Sequence, residues 1–197
     1  MKHLSRKDIL TIPNLLSAFR IILAIIIPIV YYRPELLNKT AWMVGLVIVS
    51  GVTDCLDGKI ARKFNMISEV GKILDPIADK LTQLVLLICL LATNPWIKII
   101  LILFLVKELT QGIMGLLVLL RAKENEGAKW YGKLNTVVFY VVVVLLIFIP
   151  NMPNAVVDIL LLLCGGCMLL ALCMYVKNFG NILKQNKKKK QTSQTIS

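Results

Sequence analysis

Histidine is nearly absent from this chain of 197 residues; the only one is His3. Imidazole is therefore unavailable for metal or acid–base chemistry deeper in the sequence, and a histidine-rich zinc centre is excluded. Acidic residues are also scarce, 11 against 23 lysines and arginines, for a net charge of +12. No internal repeat is visible. The five cysteines, Cys55, Cys89, Cys164, Cys167 and Cys173, all lie in apolar segments and imply no disulfide framework. Cys164-Gly-Gly-Cys167 has the spacing of a redox or zinc pair. It sits between Leu160–Leu163 and Met168–Leu172, however, where small residues serve close helix packing in a membrane. No small-residue cleavage site follows the first apolar run, which is expected to be a retained span.

Apolar residues are abundant, 57% of the chain, with a mean hydropathy of +0.77. Globular domains run at about 45–50%. The excess falls in long runs, which marks an integral membrane protein. Six spans of about 20 residues, the length that crosses a bilayer, can be drawn. They are Asn14–Tyr32, Ala41–Ile60, Gly71–Ala92, Trp96–Leu120, Gly132–Ile149 and Ala155–Val176. Pro34, Asn94-Pro95 and Pro150–Pro153 mark turns between them. The fold class expected is all-α, a polytopic bundle of six transmembrane helices. Residues 1–183 form its membrane domain and residues 184–197 a basic disordered tail. The short polar start, Lys2–Asp8, suits an interfacial helix.

The basic residues gather at both termini and in the loops after the second and fourth spans. The other loops hold only Arg33, Lys39 and Lys98. By the positive-inside rule both termini face the cytoplasm. The charge is thus directed at anionic lipid rather than nucleic acid. Trp42, Trp96 and Trp130 lie near span ends as interface anchors.

Four of the scarce acids fall within 26 residues: Asp54, Asp57, Asp75 and Asp79. An ionised side chain at membrane depth costs roughly 2.5–3.5 kcal/mol, so four of them need compensation. Asp54 and Asp57 are three apart, and Asp75 and Asp79 four apart, so each pair shares a helix face. Opposed across a helix pair, they offer hard oxygen ligands for Mg²⁺, Mn²⁺ or Ca²⁺. Four carboxylates suffice for the two ions of phosphoryl-transfer chemistry. Gly58 and Gly71 leave room for a base or pyrophosphate to approach the backbone, and Arg62 adds a forked phosphate donor. The plainer reading is a cluster of ion pairs with Lys59, Arg62, Lys72 and Lys80. A cation-coupled transporter, whose carboxylates line an ion path, is the reading from another class.

The run D-x-x-D-G-x-x-A-R-x8-G-x-x-x-D-x-x-x-D, Asp54 to Asp79, resembles at every fixed position the signature of the CDP-alcohol phosphatidyltransferases. The resemblance implies an enzyme of phospholipid biosynthesis in the cell membrane; the basic loops are what put its site at the cytoplasmic face. Such an enzyme moves a phosphatidyl group from CDP-diacylglycerol to an alcohol and releases CMP. It further implies that Asp54, Asp57, Asp75 and Asp79 bind two Mg²⁺ or Mn²⁺ ions and that Gly58, Ala61, Arg62 and Gly71 hold the CDP moiety. Asp79 is also implied as the base that deprotonates the acceptor. Family members are often dimeric, and Gly112, Gly115, Gly165 and Gly166 are candidates for a homodimer interface.

The acceptor is not carried by the aspartates. Thr11-Ile-Pro13-Asn14-Leu-Leu-Ser17-x-x-Arg20 resembles the opening of bacterial phosphatidylglycerophosphate synthases and of related cardiolipin synthases. Lys107-Glu108 and Gly132-Lys133-Leu-Asn135-Thr136 resemble later stretches of the former, and Lys107, Lys133 and Arg20 are the candidates for an acceptor phosphate. Lys107 stands where that group usually has Arg, and Gly115 where it has a second Arg. Lys133-Leu-Asn135-Thr136 also resembles cardiolipin synthases, whose acceptor is phosphatidylglycerol. Glycerol 3-phosphate is the acceptor expected, with phosphatidylglycerol as the alternative.

Overall fold

The computed structural model describes residues 11–63, 69–122, 129–149 and 151–195. Side chains at 55, 57–63, 69, 72, 119, 121–122 and 187–195 are not among those described. The polar start, Lys2–Asp8, lies outside the described residues. Among those described there are six α-helices and no strand. They are α1 (Ile12–Tyr31), α2 (Lys39–Lys63), α3 (Glu69–Leu90), α4 (Trp96–Ala122), α5 (Trp130–Phe148) and α6 (Asn154–Thr195). The all-α expectation holds. Four helices carry stretches long and apolar enough to cross a membrane: Ile12–Tyr31, Trp96–Val118, Trp130–Phe148 and Asn154–Asn186. That is the pattern of a multi-pass membrane protein. Helices α2 and α3 are long enough, at 25 and 22 residues, but the signature's charges dilute their apolar character.

The turns fall at the residues that cannot continue a helix. Thr11 is extended (φ −91°, ψ 151°) and Pro13 occupies the first turn of α1, where a missing N–H costs nothing. Asn38 enters α2 with φ 57°, a left-handed conformation that asparagine tolerates, and its carbonyl accepts the Trp42 N–H at 3.1 Å. The Pro153 carbonyl accepts from Val156 and Val157 at 2.9 and 3.2 Å and starts α6. Helix α6 runs 42 residues, through the segment expected to be a disordered tail. The continuous apolar run stops at Val176, but buried Tyr175, Phe179 and Ile182 carry the apolar stripe on at helical spacing. Lysine and glutamine, which are good helix formers, follow.

The chain divides into two compact units, residues 1–94 with 143–151, and residues 95–142 with 152–197. In the first, α1 packs against both α2 and α3. Leu23, Ala24 and Ile27 of α1, Met43 and Val47 of α2, and Ala78, Leu86 and Leu90 of α3 are buried. Two bonds fix the relation of α1 to α3. Arg20 reaches Asp75, 55 residues on, and the Tyr32 hydroxyl donates to the Ile88 carbonyl at 3.2 Å, 56 residues on. A nearly constant offset at both ends means that α1 and α3 run parallel. Lys39 at the start of α2 sits over the Tyr31 ring, 4.5 Å from its centroid, so α2 returns antiparallel.

In the second unit α4 packs against α6. Val118, Tyr131, Ala171, Tyr175, Phe179 and Ile182 form a buried cluster. Tyr131 meets Tyr175 edge-on at 4.7 Å, and Tyr175 stacks on Phe179 at 5.7 Å. Two glycines permit close approach. A Cβ at Gly165 would lie 3.1 Å from Ile100 Cδ1, and one at Gly132 would lie 2.1 Å from the Tyr175 hydroxyl oxygen. The Gly165 contact gives the Cys164–Cys167 stretch a packing role, and both of these cysteines are free thiols.

Gly132→Ala should therefore destabilise the protein by about 1–3 kcal/mol, because the Tyr175 ring would have to shift against its contacts with Tyr131 and Phe179. Gly166→Ala, which faces open space, should be neutral or slightly stabilising through helix propensity. Thermal unfolding of the two variants in detergent checks the contrast.

Candidate active site

Three helices of the first unit bring their charges to one end. Arg20 is eight residues past the start of α1, Asp54 nine before the end of α2, and Asp75 six past the start of α3. With α2 antiparallel to the other two, these positions lie at one level. The buried face of α1 there is polar: Asn14, Ser17 and Arg20 recur at helical spacing before the stripe turns apolar at Leu23. Ser17 is satisfied within its own helix, donating to the Pro13 carbonyl at 3.1 Å.

The Arg20 guanidinium forks. Nη1 donates to Asp54 Oδ1 and Nη2 to Asp75 Oδ1. Its side chain is 2% exposed, whereas those of Asp54 and Asp75 are 48% and 46% exposed. Charge-assisted bonds of this kind are about twice as strong as neutral ones, and the planar fork spans two acceptors as a lysine cannot. Asp79, one turn beyond Asp75, is held differently. Gln83 Nε2 donates to its two carboxylate oxygens at 3.4 and 3.3 Å, and Lys80 Nζ lies 3.4 Å from Oδ2. Gln83 is buried.

Asp54, Asp75 and Arg20 are thus brought together, with Asp79 on the same helix face as Asp75. Asp57, Gly58, Ala61 and Arg62 continue along α2, and their side chains lie outside those described. Gly71 is half-buried in the first turn of α3. Among the described residues no three Asp, Glu, His or Cys side chains are grouped closely enough to hold a metal ion. The chemistry of the donor set nonetheless fits a hard divalent cation: carboxylates from two helices converge on one positive group and remain half-open.

Lys107 and Lys133 belong to the second unit. Lys107 is eleven residues from each end of the apolar span Trp96–Val118. Its side chain is 3% exposed and lies 2.6 Å from Glu108 Oε1. Lys133 is exposed. Asn135, from the same stretch, is buried, and its Oδ1 has no hydrogen-bond partner among the described residues.

Arg20, taken from the sequence as an acceptor-phosphate residue, is engaged with the aspartates. A lone arginine inside an apolar run needs a carboxylate partner, and that signal was available in the sequence. Gln83 was missed altogether; its trace is an amide four residues after Asp79 on an otherwise apolar face.

Residues 10–177, from the residue before Thr11 to most of α6, match the model of the CDP-alcohol phosphatidyltransferase family. The chain belongs to that family. Members are generally dependent on a divalent metal. Among curated relatives, a CDP-diacylglycerol–glycerol-3-phosphate 3-phosphatidyltransferase of Rickettsia bellii is 36% identical over 113 residues, covering 56% of this chain and 61% of the relative. One from Arabidopsis thaliana is 34% identical over 132 residues, covering 66% and 56%. A CMP-forming cardiolipin synthase of Streptomyces coelicolor is 43% identical over 75 residues, covering 37% and 35%. The chain spans between 35% and 61% of the length of these three relatives.

In this phosphatidyltransferase-family chain Lys107 is the charged residue of the second unit that is buried among those described. Glu108→Ala takes away the carboxylate 2.6 Å from its ammonium, and should destabilise by about 3–5 kcal/mol. Lys133→Ala, at an exposed position, should stay within about 0.5 kcal/mol. Thermal midpoints in detergent separate the two.

Proposed function

We propose that this protein transfers the phosphatidyl group of CDP-diacylglycerol to glycerol 3-phosphate, forming phosphatidylglycerophosphate and CMP. The observation that carries the reading is the convergence of Asp54 and Asp75 from two helices on a single cation, within a complete family signature. Asp54, Asp57, Asp75 and Asp79 would hold two divalent ions, Mg²⁺ or Mn²⁺. Bound there, the ions would neutralise the pyrophosphate and stabilise CMP as leaving group.

The chain's own residues supply the rest. Gly58, Ala61 and Gly71 leave the backbone open to the CDP moiety, and Arg62 offers it a forked donor. Asp79 accepts the proton of the acceptor hydroxyl, whose oxygen forms the new bond to the lipid phosphorus as the bond to CMP breaks. Gln83, bonded to both Asp79 oxygens, holds that carboxylate in one orientation. Lys107 and Lys133 are the groups proposed for the acceptor's phosphate.

Glycerol 3-phosphate is favoured because the relatives carrying that name align over 56–66% of this chain, against 37% for the cardiolipin synthase match. Cardiolipin synthesis, with phosphatidylglycerol as acceptor, is the second reading, supported by the higher identity of the shorter match. Family membership speaks against the cation-coupled transporter. The basic termini and loops support six crossings with a cytoplasmic site, from which a soluble nucleotide can leave. A homodimer is part of the proposal: Gly112 and Gly115 have nothing within 4 Å where a side chain would stand, so a second helix can approach α4 closely.

Purified protein given CDP-diacylglycerol, Mn²⁺ and glycerol 3-phosphate should release CMP and yield phosphatidylglycerophosphate, read by mass spectrometry. Cardiolipin formed from phosphatidylglycerol instead would select the second reading, and no CMP with any alcohol would sink both. Asp57→Ala should lower turnover at least about a thousandfold, since several kcal/mol of charge stabilisation depends on the metal ligands.

A further inference from the structure

The mechanism gives each aspartate a task and leaves one deeply buried charge without any. Arg20 comes from α1, which carries none of the aspartate signature, yet it touches Asp54 and Asp75. The contrast in burial is large: the arginine side chain is 2% exposed, and its two partners are 48% and 46% exposed. The guanidinium therefore sits on the protein side of the carboxylates while they still face outward. An arginine near the middle of an apolar span is costly by itself. Two carboxylates brought together without a cation repel each other. Each side thus removes the other's penalty, and the three helices are tied by one charged group.

A divalent ion draws on the same negative charge. A +2 ion beside Asp54 and Asp75 repels the guanidinium, and each carboxylate oxygen committed to one is less available to the other.

We propose that Arg20 is the internal counter-ion of the aspartate centre: it holds Asp54 and Asp75 together across α1, α2 and α3 and competes with a divalent cation for them. The proposal rests on reading these aspartates as metal ligands. Arg20 is then a positioning residue. It keeps the helix ends closed when metal is scarce and raises the metal concentration needed to fill the site. This role differs from binding an acceptor phosphate, which would leave metal affinity unchanged.

The test measures metal binding directly. Free Mn²⁺ is followed by its EPR signal, and the thermal midpoint of the full-length protein in detergent is taken with chelator and across a Mn²⁺ series. Arg20→Met keeps length and apolar bulk and removes the charge. Its metal-free midpoint should fall, and its half-saturating Mn²⁺ concentration should drop about tenfold, the equivalent of one charge-assisted hydrogen bond. Arg20→Lys keeps the charge but loses the fork and should fall between. If Arg20→Met does not fold, Arg20→Lys decides on the same two readouts.

Unchanged or weaker Mn²⁺ binding in these variants overturns the proposal. So does a raised KM for glycerol 3-phosphate with Mn²⁺ binding unaltered, which would return Arg20 to the acceptor. Absence of saturable Mn²⁺ binding in the unsubstituted protein is a different failure, since it removes the metal reading on which the proposal stands.

Discussion

One buried charge organises the first unit. Arg20 sits among apolar helices where an ionised group is tolerated only with partners, and its partners come from both neighbouring helices. That requirement constrains more than a contact. It sets α1 between α2 and α3, brings the signature-bearing helix ends to one level and explains why α1 turns polar at Asn14, Ser17 and Arg20 before resuming an apolar stripe. Side-chain packing of Leu23, Ala24 and Ile27 then completes an arrangement whose registry the ion pairs have already specified. Buried ionic groups are best attested in that registry role rather than as a source of net stability.

The second unit meets a similar difficulty with other means. Lys107 lies at the middle of an apolar span and is paired with the carboxylate of the adjacent residue, Glu108. Shape contributes to registry there, through the Tyr131–Tyr175–Phe179 stack and the glycines at 132 and 165 that let helices close in.

Much of this could be read from residues alone. Apolar runs of bilayer length, interrupted by Pro34, Asn94-Pro95 and Pro150–Pro153, locate the helices because backbone polar groups in lipid leave no alternative. The aspartates announced a centre through their scarcity and spacing. What escaped was pairwise and three-dimensional. Arg20 and Asp75 are 55 residues apart, and no local pattern links them. Gln83 looks like any stray amide until Asp79 is seen one turn below it. The full length of α6 is not legible in hydropathy, because the hydropathy run and the helical stripe end at different places: the first stops at Val176, the second continues through Phe179 and Ile182.

The parallel pair of α1 and α3 is pinned twice, by a salt bridge at Arg20 and by a neutral hydrogen bond from Tyr32. The pins are separated by twelve residues along α1, a lever arm of about 18 Å. Ions can loosen the first and have little purchase on the second. Any rearrangement driven by charge must therefore pivot rather than slide: the register persists and the angle changes. An opening of 1 Å at the ionic pin corresponds to a tilt of only about 3° over that arm. The separation of Arg20 from Asp75 can thus adjust while the hydrophobic seam between the helices stays in contact.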